Sequence, residues 1–186
     1  MKKTIAFLFI VIFFSSCNEP APRRPISKKS GTFIKESVAR NKELLASEEK
    51  QIEDLLKKDS IHDHLRSSNG YWYYYIHKID QELPLPKEND VVTIAYDIRS
   101  LNNDTIYAKS AIGNIKVKID KTALFPGLRT AVKQLKKGET ATFFFPSSLA
   151  YGYHGDNNKI GINVPIISTL TLLDIQKTTN DTISLN

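Results

Sequence analysis

The side chains that most often bind metals or form covalent links are few in this chain. It has 186 residues, with one cysteine and four histidines. A single cysteine excludes an intramolecular disulfide framework and Cys-based zinc or iron–sulfur sites. His62 and His64 are close in sequence, but no third ligand lies near them, and we interpret them as solvated turn residues. The sequence therefore predicts no metal site.

Cys17, the only cysteine, ends an N-terminal targeting pattern. Two lysines at 2–3 precede an apolar stretch over 5–14, and two serines at 15–16 come directly before Cys17. A basic start, an apolar run too short to span a bilayer and small residues before a cleavage site are the layout of a secretory signal. The pattern resembles a bacterial lipobox, which predicts a signal peptide at 1–16 and lipidation of Cys17. An incidental cysteine in a secreted chain, or an N-terminal core element, is the alternative.

The segment after Cys17 predicts a tether rather than a folded element. Residues 17–32 contain several prolines and no apolar periodicity, which is typical of a flexible linker. Removal of the signal lowers the formal charge from +6 by two lysines, and the remaining lysines are dispersed, so nucleic acid is not an expected partner. We expect a membrane-anchored lipoprotein of the bacterial cell envelope. Because no acidic pair follows Cys17, we expect it to face the periplasm.

Residues 33–68 form a predicted helical arm, with one amphipathic helix over 33–58. Neither glycine nor proline interrupts that helix, and its apolar residues recur at helical spacing. They are Val38, Leu45, Ile52, Leu55 and Leu56, flanked by Leu44 and Ala46. The stripe must be buried on the following domain or on a second copy of the chain in a homodimer. We expect the arm to be an accessory to the domain that follows.

From Tyr71 onward, the apolar residues change to a period of two, which predicts strands. The predicted strands cover 71–76, 90–96, 115–119, 140–145 and 170–175. A single helix is predicted over 124–135, with basic residues and a glycine at its end. Strands around one short helix indicate an α+β fold, in which an antiparallel sheet packs on that helix.

Six ordered segments between residues 69 and 176 resemble FKBP-type peptidyl-prolyl isomerases. Residues 145–152, Phe-Pro-Ser-Ser-Leu-Ala-Tyr-Gly, are similar to the family's Ile-Pro-x-x-Leu-Ala-Tyr-Gly. The others are Asn69–Tyr73, Asp90–Tyr96, Phe125–Leu128, Leu135–Glu139 and Val164–Leu170. The resemblance implies an FKBP-like antiparallel sheet wrapped on one short α-helix over 69–176, with a tail at 177–186. The lipobox and the arm further resemble the gliding-motility-associated isomerase lipoproteins (GldI-like).

The family's proline pocket, carried over by position, falls on residues from several segments. The resemblance implies catalytic roles for Tyr96, Tyr107, Phe125 and Tyr151, and a substrate-binding lining of Val117, Leu124, Leu128, Val164 and Leu172. Two positions depart from the family: Ala108 stands at the place of an acid, and Leu128 at the place of a tryptophan. Residues 153–161 do not align, so His154 is given no catalytic role.

The implied reaction makes no bond, so it requires no nucleophile, metal or cofactor. Rotation about a peptide bond has a barrier of about 18–20 kcal/mol, and a dry aromatic pocket favours the twisted amide over the planar one. The resemblance implies an isomerase that acts on proline-containing polypeptides and assists exported proteins, including those of a gliding-motility or secretion machinery. The departures at Ala108 and Leu128 favour the alternative, a non-catalytic FKBP-fold binding module or chaperone in a membrane-associated assembly.

Overall fold

The computed structural model of the chain describes residues 30–178, with side chains from residue 34 onward. The predicted signal peptide at 1–16, the lipidation site Cys17 and the C-terminal residues from 179 lie outside this part. The predictions made for those segments therefore stay predictions.

Helix α1, Ser30–Lys58, confirms the predicted amphipathic helix. It begins within the predicted tether, ahead of the expected start at 33, and two lysines in its last turn complement the negative end of the helix dipole. Contacts divide the chain within this helix, into Met1–Ser37 and Val38–Asn186. The sheet and the candidate site both belong to the second unit. Within residues 30–178, no helix combines the length and the apolar character that a membrane crossing requires.

The second unit is built on one antiparallel sheet of eight strands. The strands are β1 (Leu65–Arg66), β2 (Trp72–His77), β3 (Val91–Tyr96), β4 (Ile98–Arg99), β5 (Thr105–Tyr107), β6 (Ile115–Lys118), β7 (Thr140–Phe145) and β8 (Ile166–Gln176). Their spatial order is β1-β2-β7-β8-β3-β6, and β4 pairs with β5 and β8. All the predicted strands are present. The sequence missed β1, β4 and β5, because strands of two or three residues are too short to show a period.

The helix predicted over 124–135 is shorter in the structure and changes type. Helix α3, Pro126–Ala131, continues as a 3₁₀ turn over Val132–Gln134. Pro126 occupies the first helical position, where its missing N–H leaves no hydrogen bond unmade. A further single turn, α2 (Lys109–Ile112), precedes β6 and has no buried residue. Helix α3 is thus the helix on which the sheet closes, and the α+β expectation is confirmed.

The inner face of the sheet, toward α3, contains the main hydrophobic core. Along β7, Ala141, Phe143 and Phe145 are fully buried on this face, as the period of two along a strand requires. The helical segment contributes Leu128, Ala131, Val132 and Leu135, and the other strands contribute Tyr71, Val92, Ile94, Val117, Leu170 and Leu172. The candidate site lies at the rim of this core.

The outer face of the sheet is covered by the second half of α1. Ile52 and Leu56 are buried against Trp72, Phe144 and Ile167, which form a separate hydrophobic cluster. Phe144 is the neighbour of Phe143 along β7 and points to the opposite face. The second half of the predicted stripe is therefore buried on the domain that follows it.

The first half of the stripe is different, since Val38 is 49% and Leu45 is 37% exposed. Packing is continuous across the predicted boundary between an arm at 33–68 and a domain at 69–176, because α1 contributes to the outer cluster. Whether the domain folds without the arm stays a prediction.

Candidate active site

Tyr151 lies in a tight turn that follows β7. The chain leaves the strand through a 3₁₀ turn at Ser147–Leu149. The Ser147 carbonyl accepts hydrogen bonds from the amides of Ala150, at 3.0 Å, and Gly152, at 2.9 Å. These bonds close the backbone around Tyr151, whose side chain is partly buried. The turn thus fixes the residue that the sequence pattern marked most specifically.

Phe125 approaches Tyr151 from the N-terminus of α3. Their ring centroids are 5.3 Å apart, and the rings of Phe125 and Phe145 are 5.5 Å apart. A Cβ atom at Gly127 would collide with the Phe145 ring and lie 2.8 Å from the Leu149 carbonyl oxygen. Glycine at this position therefore lets α3 come close enough to the turn for the aromatic contact.

Three tyrosine hydroxyls of the predicted site lie near one another. Burial raises the pKa of the Tyr151 hydroxyl to about 12, and Tyr96, Asp156 and Tyr107 add to this pKa shift from close by. Burial also raises the pKa of Tyr96. Tyr107 donates a hydrogen bond to Asp156, which is the main cause of its raised pKa. All three hydroxyls therefore keep their protons near neutral pH.

Asp156 supplies a carboxylate that the sequence analysis missed. Its Oδ1 accepts hydrogen bonds from the amides of Asn158, at 2.9 Å, and Ile160, at 2.8 Å, and its Oδ2 accepts one from Tyr107. Burial opposes the charge, but these hydrogen bonds outweigh it and lower the pKa of Asp156. An acid thus lies beside Tyr107 although the position after it is Ala108.

The loop that carries Asp156 has a backbone that suits its residues. Gly155 and Asn157 have positive φ angles, at 67° and 59°, and glycine and asparagine tolerate that region best. The run Gly-Asp-Asn-Asn at 155–158 is turn-forming in sequence. Asp156 could have been found in the sequence, because it is an acidic residue in a turn-forming run that follows Tyr151 closely.

The apolar residues predicted for the pocket divide into two groups. Val117, Leu128 and Leu172 are fully buried in the inner core and have almost no surface with which to touch a ligand. Leu124 and Val164 are partly buried and pack against the same core. The first group belongs to the core against which the aromatic residues pack. The role of all five residues in binding substrate stays a prediction.

The histidine pair lies far from this site, at the end of α1. Asp59 Oδ2 is 2.7 Å from His62 Nδ1 and 3.3 Å from His64 Nε2, and the His62 ring stacks on Tyr74 with centroids 3.9 Å apart. In the part of the chain that the structure describes, no group of three or more His, Cys, Asp or Glu side chains is arranged to hold a metal ion.

A cavity of about 270 Å³ also lies on the outer face, between α1 and the β4–β5 hairpin. Its walls include Leu55, Tyr74, Arg99 and Leu101. None of the predicted site residues lines it, so it is separate from the aromatic cluster around Tyr151.

The segments that form the candidate site are similar to those of known proteins. A model of a family described as FKBP-type peptidyl-prolyl cis-trans isomerase matches residues 84–173. The probable isomerase FkpA of Neisseria meningitidis serogroup B is 31% identical over 123 residues, which are 66% of this chain and 44% of that protein. FkpA of Aeromonas hydrophila is 26% identical over 133 residues, which are 72% of this chain and 48% of that one. The chain spans about half the length of the curated relatives it matches.

Two solved structures of bacterial proteins have the same fold. FkpA from Escherichia coli aligns with a TM-score of 0.58 at 19% identity, over 95% of this chain and 82% of that one. An isomerase from Pseudomonas syringae aligns with a TM-score of 0.58 at 16% identity, over 73% of this chain and 96% of that one. The family match covers every residue predicted for the pocket. Residues 84–173 of this chain therefore match the family of FKBP-type peptidyl-prolyl cis-trans isomerases.

Proposed function

We propose that this chain catalyses the cis–trans isomerisation of X–Pro peptide bonds in polypeptide clients. The observation that carries the proposal is the convergence of aromatic side chains from separate segments. They are Tyr96, Tyr107, Phe125 and Tyr151. The reaction changes no covalent bond, so rings and neutral hydroxyls are sufficient groups for it.

The rings act by binding the twisted amide better than the planar one. Rotation breaks the resonance of the amide, which makes the carbonyl less polar than in the ground state. A planar amide in water is well solvated, whereas the wall formed by Phe125 and Tyr151 offers little water. The pocket therefore stabilises the transition state more than the ground state, and this difference accelerates the reaction.

The Tyr151 hydroxyl gives the pocket its direction. With a pKa of about 12, it is neutral and can donate a hydrogen bond to a substrate carbonyl. When the carbonyl on one side of the X–Pro bond is held, the other side can rotate about that bond. The hydrogen bond thus orients the bound substrate for rotation. Asp156 holds the Tyr107 hydroxyl and keeps that ring at the edge of the same pocket.

The test uses two neighbouring tyrosines of opposite exposure. Tyr151→Ala should abolish most of the acceleration of X–Pro isomerisation in a short peptide and of proline-limited refolding, while circular dichroism and Tm change little. Tyr153 is 73% exposed, and Tyr153→Ala is the matched control that should keep the wild-type rate.

Two results would contradict the proposal. A Tyr151→Ala protein that isomerises as fast as the wild type would remove the site from the mechanism. A folded wild type that accelerates neither substrate would instead support the non-catalytic binding module, which should then still suppress aggregation of an unfolded client.

The proposal places the protein in the cell envelope through a lipid on Cys17, facing the periplasm. Its support is the basic and apolar N-terminal pattern that ends in two serines before Cys17. Labelled palmitate should enter the wild type but not Cys17→Ser. Equal labelling of both proteins would exclude the anchor. Clients in a gliding-motility or secretion machinery are the narrower proposal, which rests on the lipobox and the helical arm alone.

A homodimer through the first half of α1 is also part of the proposal. Val38 and Leu45 are seven positions apart, hence on one face of the helix, and both are exposed. Val38→Glu/Leu45→Glu should halve the mass measured by light scattering. Ser47→Glu/Gln51→Glu adds the same charge to exposed positions on another face and should leave the mass unchanged. A wild type that is already monomeric would refute the dimer.

A further inference from the structure

Glu48 of α1 is a buried carboxylate at the back of the candidate site. Only 3% of its surface is exposed. Its Oε2 accepts a hydrogen bond from the Ser147 amide at 2.7 Å, and its Oε1 accepts one from the Ser147 hydroxyl at 2.7 Å. Over residues 34–178, no basic side chain forms an ion pair with it. Ser147 thus provides both of its hydrogen-bond donors there.

A carboxylate inside a protein is costly unless hydrogen bonds replace its hydration. An apolar residue would fill a position on this face of the helix without that cost, as Ile52 does one turn later. The chain has a carboxylate instead, and the residue that satisfies it begins the turn before Tyr151. A purely space-filling role does not explain this choice.

Ser147 is the residue on which that turn depends. Its carbonyl accepts the amides of Ala150 and Gly152, the two neighbours of Tyr151. A groove of about 200 Å³ lies between the helix and the turn, and Glu48 and Ser147 are among the residues that line it. The two hydrogen bonds to Glu48 are a direct link across that groove.

We propose that Glu48 is a positioning residue of the isomerase site: its carboxylate fixes Ser147, and Ser147 fixes the turn that presents Tyr151 to the substrate. This inference rests on the proposed function. Glu48 does not touch the substrate and acts only through the turn. Loss of the Glu48 carboxylate does not remove Tyr151, but it lets the ring and the hydroxyl of Tyr151 move away from Phe125. Displacements of about 1 Å can lower the rate by up to about a hundredfold.

The experiment compares two buried positions on the same face of α1. Glu48→Ala should lower kcat/KM by about tenfold or more, mainly through kcat. Ile52→Ala is the matched control, because Ile52 packs only in the outer cluster. It should lower Tm at least as much as Glu48→Ala does and leave kcat/KM within about twofold of wild type. Rates are measured at a temperature at which circular dichroism shows every variant to be folded.

Two further variants keep the test decisive if Glu48→Ala does not fold. Glu48→Gln can still accept from the Ser147 amide and donate to its hydroxyl, and it should recover most of the activity. Ser147→Ala removes one of the two hydrogen bonds and should lower kcat/KM by about threefold. Wild-type kcat/KM in Ser147→Ala would overturn the proposal.

Amide hydrogen exchange gives a readout that does not depend on catalysis. The amides of Ala150 and Gly152 should exchange faster in Glu48→Ala than in wild type, and at the wild-type rate in Ile52→Ala. Equal losses of kcat/KM in both variants, with unchanged exchange at the turn, would reduce Glu48 to a stability role. A wild type without isomerase activity would refute the proposed function, whereas the exchange data would still decide whether Glu48 fixes the turn.

Discussion

The two faces of the sheet are covered in different ways. The inner face packs on α3 through a continuous core of aromatic and aliphatic side chains, and the candidate site lies at its rim. The outer face is covered by α1 through a small cluster around Ile52 and Leu56. Two hydrogen bonds from Ser147 to the Glu48 carboxylate join the turn of the candidate site to α1. The candidate site thus lies on one face of the sheet and is hydrogen-bonded to the helix that covers the other face.

Removing α1 should have the largest effect on this comparison. A chain that begins at Ser67 would expose Trp72, Phe144 and Ile167 to water, because α1 covers them. Loss of the two buried aliphatic contacts alone should cost at least about 4 kcal/mol, a large part of a typical domain's stability. Denaturant unfolding and near-ultraviolet circular dichroism measure this. A soluble, fully folded fragment with wild-type activity would show that the arm is an accessory after all.

Substitution of two neighbouring phenylalanines of β7 should separate the faces. Phe143→Ala empties the inner core and should cost about 3–5 kcal/mol, with loss of activity at the rim of that core. Phe144 lines the existing outer cavity, so Phe144→Ala should lower the free energy of unfolding by an amount at the low end of this range, about 3 kcal/mol. Its kcat/KM per folded molecule should stay near wild type. Equal loss of activity in both would mean that the faces are coupled through the strand.

Removal of one oxygen atom tests the inner site alone. Tyr151→Phe keeps the ring and its contact with Phe125, and should lower kcat/KM by about tenfold, the value of one hydrogen bond, at unchanged Tm. Because the pKa of Tyr151 is raised to about 12, wild-type activity should not fall as the pH rises to about 10, the usual pKa of tyrosine. A fall in kcat/KM below pH about 10 in wild type, but not in Tyr151→Phe, would contradict the role of a neutral Tyr151 hydroxyl as the donor.

The smallest effect is expected at Asp156. Asp156→Asn keeps an acceptor for the Tyr107 hydroxyl but removes the charge, and should lower kcat/KM by only about threefold. The pKa of Asp156 is lowered in the folded protein, so its contribution to stability is present above pH about 4, the usual pKa of the group, and is lost as the pH falls further. The unfolding free energy of Asp156→Asn should therefore change less with acid than that of wild type.

Local patterns were sufficient to predict the longer regular elements. The alternation that starts at Tyr71 and the short run at 140–145 appear in the structure as β2 and β7. The apolar spacing of α1 predicted the face that it buries, with Ile52 and Leu56 on it. These features depend on neighbours a few residues apart, which a single sequence displays directly.

The features that could not be predicted depend on distant or irregular contacts. Glu48 and Ser147 are 99 residues apart, and Glu48 in sequence is one of several glutamates on a helix. The carboxylate of Asp156 accepts a hydrogen bond from Tyr107, but its loop has no periodic pattern and follows no family spacing. Ordinary sequence periodicity does not report on such side-chain partners, because three-dimensional packing alone brings them together.

The position of β8 sets the order in which the molecule can assemble. Within the described residues it is the last strand along the chain, yet in space it lies between β7 and β3. Until residues up to Gln176 have left the ribosome, the β1-β2-β7 and β3-β6 parts have no common neighbour. The sheet is therefore completed only after synthesis of nearly all of the described chain. Long-range pairings of this kind form late and slowly, so the two parts of the sheet stay separate for most of the synthesis of the described chain.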